Sequence, residues 1–232
     1  MPHKIDHAAL VERVAQRRGG MRRTFERFDP ARTAHVVVDM QNGFLEEGAP
    51  VEVPEARSIV GNINRLSRAV RQSGGTNVFL RYTTSDLDGE WSVFGRRMGD
   101  ELTPRHKAGF MPGAHYHQFW PELDVAPDDL VIDKARFSGL CANASTMHED
   151  LQALGIDTLL ISGTLTNCCC ETTARDAMQM NYKVNVVTDA NAALSDAEHE
   201  MTLFTLGFIF ADLFTTDELV AELAGQRAIE PA

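Results

Sequence analysis

The sequence predicts an α/β fold: a doubly wound, six-stranded parallel sheet between two helical layers. Three observations carry this. Six short apolar runs recur along the chain from residue 33; each is continuous in Val, Leu, Ile and Phe rather than alternating; and helical spacing fills the intervals between them. Strands buried on both faces read as unbroken apolar runs, and strand–helix alternation is the signature of parallel crossovers.

Taken in order, residues 8–18 have the spacing of an amphipathic helix, followed by Gly19-Gly20 and the basic Arg22-Arg23. This reads as an N-terminal helical arm over 1–30, packing on the body or on a neighbouring subunit, ahead of a single domain over 31–232. The strands are expected at 34–40 (AHVVVDM), 76–82 (TNVFLRY), 129–134 (DLVIDK), 157–163 (DTLLISG), 183–190 (KVNVVTDA) and 211–216 (ADLFTT). Between the first two, Ile59, Ile63, Leu66 and Val70 mark one helix face. Leu151 and Leu154, ended by Gly155, mark another, and a helix is expected over 171–180. The interval 83–128 differs. It holds Trp91, Phe94, His106, Phe110, His115, His117, Phe119 and Trp120 with three prolines, and reads as a long loop serving as a lid, a substrate pocket or a subunit contact.

Composition narrows the function. With 22 basic and 33 acidic residues the chain carries a formal charge of −11, which disfavours non-specific nucleic-acid binding, since neutralising phosphates takes clustered Lys and Arg. No run approaches 18 apolar residues, so no membrane span is expected. The polar N-terminus lacks a signal-peptide core, and a cytoplasmic protein is the expectation. Of four cysteines, Cys168, Cys169 and Cys170 are consecutive and only Cys141 is remote. Adjacent thiols form neither a disulfide framework nor a spaced zinc site, and the remaining question is whether one is a nucleophile.

In parallel sheets, ligands bind beyond the carboxyl ends of the strands. There the sequence places an acid (Asp39, first strand), a base (Lys134, third) and the cysteines (after the fourth). Each has a plain structural explanation: a turn former, a solvated charge, a core thiol. The coincidence of all three at one sheet edge favours chemistry. Capping by Thr166 or Asn167 would put the cysteines in the first turn of a helix, lowering a thiol pKa from about 8.5.

These residues resemble those of the isochorismatase-like cysteine hydrolases. The stretch 163–177, GTLTNCCCETTARDA, resembles that family's cysteine segment; 36–44, VVVDMQNGF, its first strand; and 131–138, VIDKARFS, its lysine segment. With Thr188-Asp-Ala190 and Glu198-His199, the similarity spans about 33 to 220. The resemblance implies a catalytic Asp39–Lys134–Cys169 triad, Cys169 being the nucleophile of the T-N-x-C pattern. It also implies a cis peptide joining Thr164 to Leu165, with the Leu165 and Cys169 N–H groups as oxyanion hole. No metal or cofactor is demanded. The Asp-x-His metal site of the nicotinamidase branch is not reproduced near the second strand, in Arg81-Tyr82-Thr83-Thr84-Ser85-Asp86, and the cysteine favours C–N hydrolysis over vinyl-ether cleavage.

The segment looks most like the ureidoacrylate, biuret and N-carbamoyl amidohydrolase branch, which implies a small amide or ureide substrate, a thioester intermediate, ammonia release, and a homodimer or homotetramer. Maleamate or streptothricin-type hydrolysis, a non-catalytic binding relative and a redox role for the cysteines stay open. Candidate substrate contacts are Gln41, Asn42, Arg81, Tyr82, Trp91, Phe94 and Phe137. Arg175 and Asp176 read as a structural pair, and His199 as a packing or hydrogen-bonding residue.

Overall fold

A computed structural model describes residues 3–84 and 91–227. Six strands, β1 (Thr33–Val38), β2 (Thr76–Tyr82), β3 (Leu130–Lys134), β4 (Thr158–Thr164), β5 (Lys183–Ala192) and β6 (Asp212–Phe214), form one parallel sheet in the order β3-β2-β1-β4-β5-β6. Strand alternation divides the core in two. Val36, Val38, Leu159, Ile161 and Val186 face one side; Val37, Leu160 and Val187 face the other.

The first side is covered by α1 (His7–Arg17), α5 (Met147–Ala153), α6 (Glu171–Gln179) and α7 (Asp196–Ile209), through Leu10, Leu151, Ala174 and Leu203 among others. The second is covered by α2 (Asn42–Leu45), α3 (Val60–Gln72) and α8 (Thr216–Arg227), through Leu45, Ile63, Leu66 and Leu219. Local chemistry starts the last two helices. Ser195 caps α7 by accepting the Glu198 N–H, its hydroxyl donating to the Glu198 carboxylate at 2.7 Å, while Thr215 and Glu218 form a capping box, each accepting the other's N–H. In α6, Arg175 bonds Glu171 one turn back rather than its neighbour Asp176, because residues three or four apart share a helix face.

The expected loop over 83–128 contains a helix, α4 (Ser92–Gly109), broken at Gly99, which has φ 80° and ψ 172°. Pro104 lies five residues beyond that break. Among the described residues no helix is long and apolar enough to cross a membrane.

Candidate active site

Strand order positions the chemistry. The order of connection reverses between β1 and β4, and the crevice beyond their carboxyl ends is where such sheets bind ligands. Asp39 follows β1 with φ 53°, a left-handed conformation that Asp and Asn tolerate better than most side chains. Its N–H donates to the Leu80 carbonyl and its carbonyl receives the Gln41 N–H, so the chain turns away from the sheet at this residue.

Lys134 ends β3, two strands away, and its side chain passes over the Tyr82 ring, 5.4 Å from the ring centroid, to place Nζ 2.8 Å from Asp39 Oδ2. Nζ also donates to the Arg136 carbonyl at 3.0 Å. Both charged side chains are fully buried. Cys169 is buried as well, and Asp39 and Lys134 both act on its thiol. Acid, base and thiol, remote in sequence, therefore meet in one buried hollow.

The cysteines lie on one wide helical turn, Thr166–Cys170, which leads into α6. The Thr164–Leu165 peptide before it is cis. The Leu165 carbonyl receives the N–H groups of Cys168 and Cys170, passing over that of Cys169 between them. No side chain caps this turn; Thr166 instead bonds His199 Nδ1 at 2.8 Å. His199 Nε2 lies 3.0 Å from the Thr188 carbonyl, which can only accept, so the ring proton sits on Nε2 and the Thr166 hydroxyl donates to Nδ1. The His3 ring stacks on His199 at 4.2 Å, tying the N-terminal segment to the wall behind the cysteines.

Burial raises the Asp39 pKa, with the Lys134 charge opposing, so this carboxylate is more basic than usual. Burial works to lower that of Lys134, but Asp39 and Cys169 outweigh it and the net shift is upward. The Cys169 pKa is raised, first by its hydrogen bond with Cys168, then by burial. The thiolate expected from a helix N-terminus is thus corrected. At Cys169 the hydrogen bond with Cys168, burial and the Asp39 charge together outweigh the Lys134 field. Cys168 shifts the other way, chiefly through its hydrogen bond with Cys169.

An isochorismatase domain profile matches residues 33–218. The chain belongs to the isochorismatase family. Over 199 residues it is 30% identical to nicotinamidase 3 of Arabidopsis thaliana, covering 83% of this chain and 89% of that one. Over 211 residues it is 28% identical to the ureidoacrylate amidohydrolase RutB of Variovorax paradoxus, covering 84% and 83%. Among solved structures, a cysteine hydrolase from Pseudomonas syringae pv. phaseolicola superposes with a TM-score of 0.76 at 31% identity, covering 85% of this chain and 95% of that one.

Within this isochorismatase-family hydrolase the expected substrate contacts separate into two groups. Tyr82, Trp91, Phe94 and Phe137 gather in one aromatic cluster. Trp91 stacks on Phe94 at 4.3 Å, and Phe137 meets the two at 5.0 and 5.1 Å. His106 joins Phe94 to Tyr82, with centroids 5.7 and 5.3 Å away. Arg136 lies over Trp91 at 5.0 Å.

Gln41 is corrected to a structural role. Its amide donates to the Tyr82 and His117 carbonyls and accepts the Tyr82 N–H, so almost nothing remains for a ligand. Asn42 likewise spends its amide nitrogen on the His115 carbonyl, leaving Oδ1 buried and unbonded. Arg81 is corrected too. It is in register with Asp133, as Tyr82 is with Lys134, and alternation turns Arg81 and Asp133 to the opposite face, where they pair at 2.6 Å.

His106 was not among the expected contacts, although it reaches the Tyr82 hydroxyl at 3.1 Å; its distance in sequence concealed this. His117 likewise folds back to Thr83 at 2.8 Å. Among the described residues no three His, Cys, Asp or Glu side chains gather as a metal site; Ser85 and Asp86 lie outside those residues.

Proposed function

We propose that this chain is a cysteine amidohydrolase that cleaves the C–N bond of a small amide or ureide and releases ammonia. The observation carrying the proposal is the convergence of Cys169, Asp39 and Lys134, with Lys134 Nζ 2.8 Å from Asp39 and the buried thiol acted on by both charges. Similarity to a ureidoacrylate amidohydrolase supports the ureide class.

Asp39, made more basic by burial, takes the Cys169 proton as the sulfur attacks the substrate carbonyl carbon. The Leu165 and Cys169 N–H groups receive the negative oxygen of the tetrahedral intermediate. Its collapse breaks the C–N bond, and Asp39 returns its proton to the leaving nitrogen. Water then attacks the thioester, Asp39 takes a water proton, and Cys169 leaves as the thiol. The product is a carboxylic acid or, from a ureide whose substituted nitrogen leaves, unsubstituted carbamate that decays to carbon dioxide and ammonia. Lys134 stays protonated throughout and keeps the pocket from accumulating negative charge.

Ammonia release is measured across ureides, N-carbamoyl amino acids, biuret, maleamate and nicotinamide. Cys169→Ala is expected to lower kcat/KM by roughly 10⁴-fold or more with the fold intact, as loss of a nucleophile does, and Cys168→Ala to cost far less. Comparable turnover by Cys169→Ala refutes the assignment.

A further inference from the structure

Two groups in the same hollow take no part in moving the thiol proton: Tyr82 and His106. Tyr82 ends β2, between the strands of Asp39 and Lys134, and is 3% exposed. Lys134 Nζ, 2.8 Å from Asp39, lies 5.4 Å from the Tyr82 ring centroid, which places the phenol at the site. Its hydroxyl is 3.1 Å from His106 Nε2, its one hydrogen-bond partner among the described residues.

His106 is also 3% exposed, and its Nδ1 is buried without a partner, enclosed by the Phe94, Tyr82 and Phe110 rings. Burial lowers its pKa to about 4, so the ring is neutral and carries one proton. A proton on Nδ1 would orphan a buried N–H, whereas a proton on Nε2 leaves only a bare lone pair, the cheaper of the two. Nε2–H then donates to the Tyr82 oxygen, and the hydroxyl's own proton is free for another acceptor. Burial raises the phenol pKa, so that proton is retained.

The acceptor is not the scissile carbonyl oxygen. That oxygen faces Leu165 and Cys169 beyond β4, while Tyr82 stands on β2, and β1 lies between them. In the proposed mechanism the Leu165 and Cys169 N–H groups already receive that oxygen, which leaves the phenol for another. We propose that the Tyr82 hydroxyl, aimed by His106, donates a hydrogen bond to a second oxygen of the substrate, so that the site selects amides or ureides carrying a further carbonyl or carboxylate. Tyr82 is then a specificity residue and His106 the positioning residue acting through it. Arg136, over Trp91 beside the phenol, adds positive potential for a carboxylate.

This rests on the amidohydrolase reading and is tested separately from it. Wild type, Tyr82→Phe, His106→Phe and His106→Gln are compared on biuret and maleamate, which carry a second oxygen, and on nicotinamide and a simple aliphatic amide, which do not. Tyr82→Phe and His106→Phe should each lower the kcat/KM ratio between the two sets about tenfold, through KM rather than kcat. His106→Gln, whose amide N–H can replace Nε2–H, should restore most of it. Equal losses on both sets, or a loss confined to kcat, overturn the proposal.

Independently of turnover, the ring-nitrogen resonances of labelled wild-type protein should place the His106 proton on Nε2; a proton on Nδ1 overturns the proposal. A wild type that is inactive throughout overturns the hydrolase reading and the selectivity with it. Cys169-dependent hydrolysis that ignores Tyr82 overturns the selectivity alone.

Discussion

At Asp39 and Lys134 two opposite charges are fully buried 2.8 Å apart, and each is tolerable only because of the other. Lys134→Met should abolish turnover and cost about 3–5 kcal/mol in denaturant unfolding, since it strands a buried carboxylate. Adding Asp39→Asn should recover much of that stability and none of the activity. Asn also suits the left-handed backbone at 39, so the charge alone is removed. A double variant no more stable than Lys134→Met would show that the pair is not held by mutual compensation.

Asp39 and Lys134 were legible in the sequence because one directly follows and the other ends a recognisable strand, whereas Cys169 was singled out from its neighbours by the family resemblance of its segment. The electrostatics of the trio were not legible. Cys169 sits in the helical turn that leads into α6, as expected, yet its pKa rises, because the hydrogen bond with Cys168 and burial arise only on folding. Gln41 illustrates the same limit from the other direction: its place beside Asp39 was plain, while the carbonyls that saturate it come from Tyr82 and from His117, 76 residues on.

Among the elements, β1 and β4 do the positioning, and Gly163 is where they come closest. Its φ is +117°, and a Cβ there would lie 2.2 Å from the Val38 carbonyl oxygen, so neither the conformation nor the space admits a side chain. Gly163→Ala should push apart the two strands that carry Asp39 and the cysteine turn, lowering the melting temperature by several degrees and most of the activity with it. Wild-type melting with full turnover would contradict this.

The strands were readable at nearly their observed limits because buried parallel strands leave an unbroken apolar run that needs no tertiary information. Helix α4 was not, because Gly95, Gly99 and Pro104 interrupt its pattern and its rings, Phe94 and His106, pack on one another and on Trp91, Phe137 and Tyr82, residues outside the helix.

Among the described residues, four histidines are buried on different elements, His35, His106, His117 and His199; burial lowers all four pKa values, those of His35, His106 and His199 to about 3, 4 and 4. In the unfolded chain each titrates near 6.5, so between that value and about 4 the unfolded state binds protons that the native state refuses. Their contribution to stability is therefore complete above pH 6.5 and declines as the pH falls through 6.5 towards 4, at about 1.4 kcal/mol per pKa unit and site. Urea midpoints should fall steeply over that interval, and His35→Gln should flatten the slope. A midpoint independent of pH between 4 and 6.5 would refute the linkage.

Strand β3 is the outermost on its side of the sheet, paired to β2 alone, and it supplies the ammonium that balances Asp39. The centre of the fold thus depends on its margin for charge neutrality. Any loosening of that border withdraws the counter-ion from across β2 while β1, β4 and the cysteine turn remain assembled, so competence for catalysis is a more fragile property of this molecule than its architecture.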